Sequence, residues 1–115
     1  MPDNKPYTHS KMILFNTTFI VDPALKSTFL DWAQTTLIPR TLASGLFTDP
    51  LAMRVLPPEI QAEPCETESY AIQFKSSSLE AATAWAQSGF LELFAPLAKQ
   101  YPQAILPFST FMEII

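Results

Sequence analysis

An α+β fold with the element order βαββαβ is expected from three observations. Four segments alternate their residue types in twos or are apolar on both faces, as strands do. Two longer segments carry helical spacing behind clear start signals. The 115 residues, 48% of them hydrophobic, fit one domain with a core of its own. Two helices on one face of a four-stranded antiparallel sheet make the ferredoxin-like arrangement, whose usual strand order puts the first and third strands in the centre. Residues 1–10, with Pro2, Asn4, Pro6 and His9 and no period, read as a flexible tail, and 11–115 as a single domain.

The first strand is Met12 to Val21. Ile13, Phe15, Thr17, Phe19 and Val21 share one face, and Met12, Leu14, Asn16, Thr18 and Ile20 the other. Asp22-Pro23 starts a helix: Asp22 caps free amides and Pro23 gives up no hydrogen bond at the first helical position. That helix is expected to run from Pro23 to about Leu37, with Leu25, Phe29, Trp32 and Ala33 on its apolar side. Trp32 reads as core or interface rather than as a ligand platform. Pro39 should end or bend the helix, residues 40–44 form a short helical turn, and Gly45 suits a left-handed cap.

A turn is expected at Asp49-Pro50, then a second strand from Leu51 to Leu56 closed by Pro57-Pro58. Residues 59–68 form an acidic loop. The third strand runs from about residue 66 or 67 to Lys75, so the two strands make a hairpin with a loose connection. Its stretch Ser69 to Lys75 sets Tyr70, Ile72 and Phe74 against Ala71 and Gln73. Ser76 to Ser78 offer caps for a second helix from Leu79 to about Ser88, continued from Phe90 to Lys99. Gly89 is its weak point, and Pro96 should make the last turns irregular. The last strand is Ala104 to Ile114, where Pro107 argues for an edge or a bulge.

Composition excludes several functions. The net charge is −4, and the seven Lys and Arg are scattered, which is no footprint for nucleic acid or for a basic membrane-surface helix. No apolar run approaches the roughly 20 residues that span a bilayer, and the first residues lack a signal-peptide pattern, so a cytoplasmic location is expected. Cys65, the single cysteine, has no internal disulfide partner and no nearby base; the single histidine, His9, lies in the tail. No catalytic residue, metal site or cofactor is assigned.

Helices cover only one face of such a sheet. Both faces of the first and last strands are too apolar for plain exposure, and a large exposed patch marks an interaction site. A homodimer through the open sheet face is the simplest closure. Tyr70, Ile72 and Phe74 are expected under the helices, with Ala71 and Gln73 facing the partner. Polar groups between the stacked sheets would line a cavity: Asn16 or Thr17, Arg54, Tyr70 or Gln73, and Ser109 or Thr110. Strand parity forbids all of them on one side. Arg54, a lone cation in an apolar strand, can hold an anion in a bidentate contact, or it faces water, paired with Glu66 or Glu68. Tyr70 can donate to a bound group, or it packs against a helix with its hydroxyl satisfied.

The stretches 13–17 (Ile-Leu-Phe-Asn-Thr), Val21-Asp22, Trp32, Ile38-Pro39, 42–47, 54–56, 69–74, 95–97 and 108–113 resemble, in order and spacing, the uncharacterised bacterial family DUF4286. The resemblance covers nearly everything after the tail. It implies membership of the dimeric α+β barrel group, whose members pair two ferredoxin-like units sheet to sheet and include small oxygenases, haem-degrading enzymes, isomerases and non-catalytic binding modules. Similar chains often carry a His where this one has Leu37 and an Arg where it has Ser109; Arg54 is kept. The function expected is a non-enzymatic homodimeric domain that binds a small anionic or apolar molecule, or a protein. The alternative is a small cofactor-independent oxygenase or isomerase with a cavity near the sheet. Arg54, Gln73, Asn16 and Tyr70 are the candidate ligand-binding residues.

Overall fold

The computed structural model describes residues 12–56 and 67–115. The expected tail, His9, Cys65 and all but the end of the acidic loop lie outside the described residues. Within them the order is β1 (Ile13–Val21), a 3-10 turn (Pro23–Leu25), α1 (Lys26–Trp32), a π turn (Ala33–Leu37), α2 (Ile38–Ala43), β2 (Thr48–Arg54), β3 (Glu68–Ser76), α3 (Leu79–Gln87), α4 (Gly89–Gln100) and β4 (Ile105–Glu113). The strands pair antiparallel in the order β2-β3-β1-β4, with β1 and β3 central as expected. Two helical arms, α1–α2 and α3–α4, cover one face. This is the ferredoxin-like α+β topology.

The expected dimeric α+β barrel is corrected. The sheet is open: β2 and β4 are free edges held apart by β3 and β1, and it is neither closed nor curled. A barrel shared by two such units needs each sheet to curl so that its edges turn toward the other's; this four-stranded sheet does not curl, so its edges stay open.

Alternation along the strands builds the core. On β1 every second residue is buried: Ile13, Phe15, Thr17, Phe19 and Val21. On β3 the buried set is Tyr70, Ile72, Phe74 and Ser76. Phe19 is fully buried and lies at the centre, its ring 4.9 Å from Phe29, 5.9 Å from Trp32, 6.1 Å from Phe90 and 6.2 Å from Phe94. The Trp32 indole N–H donates to the Leu93 carbonyl at 3.2 Å, so Trp32 ties the two helical arms together.

Asp22 caps the first arm, accepting from the Ala24 amide at 2.9 Å. The arm does not stop before Pro39. Instead the Ile38 amide reaches back five residues to the Ala33 carbonyl. A proline has no amide and its ring strikes the carbonyl four residues back; a widened turn relieves both, so the helix continues into α2. Gly45, at φ +78°, ends it as expected. β2 starts earlier than expected, because the Asp49-Pro50 pair forms an irregularity inside the strand, with Asp49 at φ +54° and a register shift between Thr48 and Leu51. Its ladder ends at Arg54, two residues before the expected limit, although the Val55 amide still donates to the Ser69 carbonyl at 2.8 Å.

The second arm breaks at Ser88, ahead of Gly89. The indole of Trp85 lies where a side chain on residue 89 would begin: an added Cβ would be 2.3 Å from its ring. Pro96 does not disturb α4, which runs unbroken to Gln100. Both Pro96 and Glu92 are exposed, so the carbonyl deprived of its partner stays hydrated.

Candidate functional site

The uncovered face of the sheet is a lattice set by the pairing register. Residues directly opposite one another share a face. One row crosses the sheet as Leu51, Gln73, Asn16, Thr110; the next as Met53, Ala71, Thr18, Phe108. The flanking row toward the β3 start holds Ser69, Ile20 and Leu106, with Val55 beside Ser69. The opposite row holds Thr48, Lys75, Leu14 and Met112.

Two gradients run across this lattice. The edge strands carry large apolar side chains that stay exposed: Leu51 at 50%, Met53, Val55, Leu106, Phe108 at 56%, and Met112. The central strands carry small or polar ones in the two middle rows, Ala71, Thr18, Asn16 and Gln73, and the large apolar Leu14 and Ile20 in the outer rows. The face therefore has small or polar, uncharged side chains at its middle and a largely apolar rim, interrupted by Thr48, Ser69, Lys75 and Thr110. Asn16 Nδ2 donates to Thr18 Oγ1 at 3.1 Å, which orients the carboxamide. The one charged side chain in the four rows is Lys75.

Strand parity sorts the candidates. Asn16 and Gln73 lie directly opposite each other on the open face, with Thr110 on the far side of Asn16. Thr17 and Ser109 lie on the helix side, their hydroxyl oxygens 3.0 Å apart. Arg54 and Tyr70, opposite one another, also lie on the helix side, at the end of the sheet. The structure thus brings Asn16 together with Gln73, and Arg54 together with Tyr70, on opposite faces. Leu37 is buried in the core of the π turn, and Ser109 is engaged with Thr17.

At that second place Tyr70 is buried under Phe29, ring centroids 5.4 Å apart, and its hydroxyl donates to Glu68 Oε1. Arg54 Nε lies 3.9 Å from the same oxygen, a long, half-exposed ion pair of little energetic weight. The hydrogen bond from Tyr70 is the main reason that the Glu68 carboxyl is held below its usual value, with Lys26 and Arg54 adding attraction. Burial, reinforced by Glu68, pushes the Tyr70 phenol up to about 12. Glu68 entered the sequence reading only as an option for Arg54. Its bond to Tyr70 was legible in the spacing, because residues two apart on a strand share a face.

Among the described residues no group of three or more His, Cys, Asp or Glu stands together as metal ligands do. None of their helices is long and apolar enough to cross a membrane.

Comparison with solved structures agrees on the fold. A dimeric ferredoxin-like protein from an uncultured marine organism is 12% identical, with a TM-score of 0.66 over 91% of this chain and 96% of that one. A second dimeric ferredoxin-like protein from an uncultured marine organism is 12% identical, with a TM-score of 0.58 over 90% and 94%. A proposed antibiotic biosynthesis monooxygenase from Bacillus cereus is 13% identical, with a TM-score of 0.55 over 90% and 93%. No curated protein sequence matches the chain. Residues 12–115 match the model of a domain of unknown function, DUF4286, and the chain belongs to that family.

Proposed function

We propose that this chain is a homodimeric binding module whose two copies meet through the open faces of their sheets. The observation that carries the reading is the exposed apolar rim: six large side chains on the two edge strands, on a face that the helical arms leave uncovered. A second copy fits it better than a small molecule. Four strands of up to about nine residues span roughly 19 by 30 Å, a flat footprint of about 570 Å² to which the standing side chains add toward the roughly 800 Å² that each partner of a stable complex buries. The rim is self-complementary under a two-fold axis, because apolar edges meet apolar edges and a lone Lys75 gives little like-charge repulsion. Two proteins of similar fold are described as dimeric, which supports the same reading.

Binding rather than catalysis is favoured by the residues gathered. The open face holds carboxamides, hydroxyls and the amine of Lys75, opposite Thr48, but among the described residues no His, Asp or Glu in its four rows to act as a base. An oxygenase or isomerase would need a convergent polar pair in a cavity, and Arg54 and Tyr70 are turned away from the open face and spent on Glu68.

Sedimentation equilibrium tests the assembly. The chain is expected at twice its 12.9 kDa mass, and Phe108→Glu at that mass. A wild-type monomer at tens of micromolar overturns the proposal.

A further inference from the structure

The two free edges of the sheet are not alike. β2 is exposed at every position, on the helix side as well as the open side, and among the described residues nothing pairs with its outer edge. The Val55 amide donates inward to Ser69. By the alternation of an antiparallel ladder, Leu51, Met53 and Val55 then bond to β3, while Ala52 and Arg54 turn their N–H and C=O groups outward. No proline, glycine or lysine interrupts residues 51–56. β4, by contrast, is blunted. The Ile114 amide donates inward to Met12, so Pro107 falls among the β4 residues that face out, where its missing N–H removes a donor. Sheets guard their edges in this way against unwanted strands, and an unguarded apolar edge is the feature that strand addition uses.

We propose that the outer edge of β2 is a docking site for an extended acidic segment of another protein, added antiparallel to the sheet. Ala52 and Arg54 supply two N–H and two C=O groups to hold its main chain. Its side chains alternate between the two faces. On the open side they lie beside Leu51, Met53 and Val55, exposed at 50%, 37% and 49%, and apolar residues suit that place. On the other side they lie beside Ala52 and Arg54, and acidic residues suit that one. The Arg54 guanidinium reaches Glu68 only at 3.9 Å, with 48% of its side chain exposed, and Lys26 adds a second positive charge around the same carboxylate. A carboxylate on the added strand gives Arg54 a closer partner. A second copy is the poorer occupant. Pairing β2 with β2 about a two-fold axis sets both Arg54 side chains on one face, and residues 51–56 offer them no acid. The edge runs along the side of the sheet, so this docking is independent of the homodimer.

The probe is a blocked peptide, Ser-Val-Glu-Val-Glu-Val-Ser, compared with its counterpart carrying Lys for Glu and with a copy N-methylated at its Glu residues. Binding to the full chain is read from the backbone amides of Ala52 and Arg54 in nitrogen–proton correlation spectra and from their hydrogen exchange. Both amides are expected to exchange freely in the unliganded protein and to slow about tenfold or more at saturation with the Glu peptide. The Lys peptide is expected to bind about tenfold more weakly, and the N-methylated one not at all. Arg54→Ala should erase the preference between the Glu and Lys peptides. Ala52→Pro, which removes an N–H that faces water, should weaken both. Amides of Ala52 and Arg54 already protected without peptide would mean that a second copy or another part of the chain occupies the edge, which overturns the proposal. Binding that survives N-methylation, or that ignores the sign of the charge, overturns it too. Sedimentation of the same samples reads the homodimer separately: a monomer that binds the Glu peptide sinks the dimer and upholds the docking edge.

Discussion

The two faces of one sheet are built from alternate residues of the same strands, yet they obey opposite rules. Under the helices the largest side chains gather on the central strands, Phe15 and Phe19 on β1 and Tyr70 and Phe74 on β3. On the strands Thr17 is matched with Ser109 and Tyr70 with Glu68, while in the helical layer Thr41 Oγ1 and Trp85 Nε1 are buried without a partner. On the open face the large apolar side chains stand at the edges, and polar ones occupy the middle. A core closes on itself; a surface with its apolar groups at the rim is finished by something else. The contrast separates residues that hold the fold from residues that use it.

The contrast is broken most forcefully from the covered side. Phe19→Ala removes the ring against which four other aromatic rings pack, and about 3–5 kcal/mol of unfolding free energy is expected to go with it. Phe108→Ala, on the same sheet but half-exposed, should cost a small fraction of that in urea titrations of the monomer. Equal losses would erase the distinction between the faces.

A charge sharpens the open side. Asn16→Asp puts a carboxylate at the middle of each open face, and two like charges across the two-fold axis are expected to weaken dimerisation by about 2 kcal/mol or more. Acidification below the carboxylate pKa should restore it, because protonation removes the repulsion. Sedimentation at pH 7 and pH 4 reads both effects. A variant that dimerises normally at pH 7 would place residue 16 outside the interface.

Within the helical layer, Gly89→Ala forces the Trp85 ring out of the space that the missing side chain leaves. A cost of about 1–3 kcal/mol and a shifted tryptophan emission are expected, with dimerisation unchanged.

The smallest effect concerns the Tyr70–Glu68 contact. Glu68 titrates below its usual 4.5 in the folded chain, so its contribution is present above that value and fades as pH falls through the lowered one. Tyr70 is shifted the other way, so its contribution is complete below pH 10 and is lost as pH rises toward 12. Tyr70→Phe is expected to flatten stability against pH at both ends. A profile unchanged by the substitution would mean that the contact carries no weight in solution.

Much of this molecule is legible from local chemistry. The period of two in β1 and β3 placed Tyr70, Ile72 and Phe74 under the helices and Ala71 and Gln73 outside, as observed. Asp22-Pro23, Gly45 and Gly89 marked the ends and the break of the helical arms, because capping and φ preferences act within a few residues. Pro96 misled, and Pro39 marked a widened turn rather than an end, since whether a proline stops a helix depends on what its neighbours can absorb, here a π turn and a hydrated carbonyl.

What the sequence determined by itself is thus the order of the elements, the class of fold and the two-sided patterning of each strand, all consequences of short-range stereochemistry. It could not say which residues of different strands lie side by side. Asn16 beside Gln73, Arg54 beside Tyr70 and the open edges at β2 and β4 were decided by register and strand order, which depend on contacts far apart in the chain. Four candidate ligand residues became two separate pairs on opposite faces for that reason alone, and the barrel expected from family resemblance gave way to an open sheet.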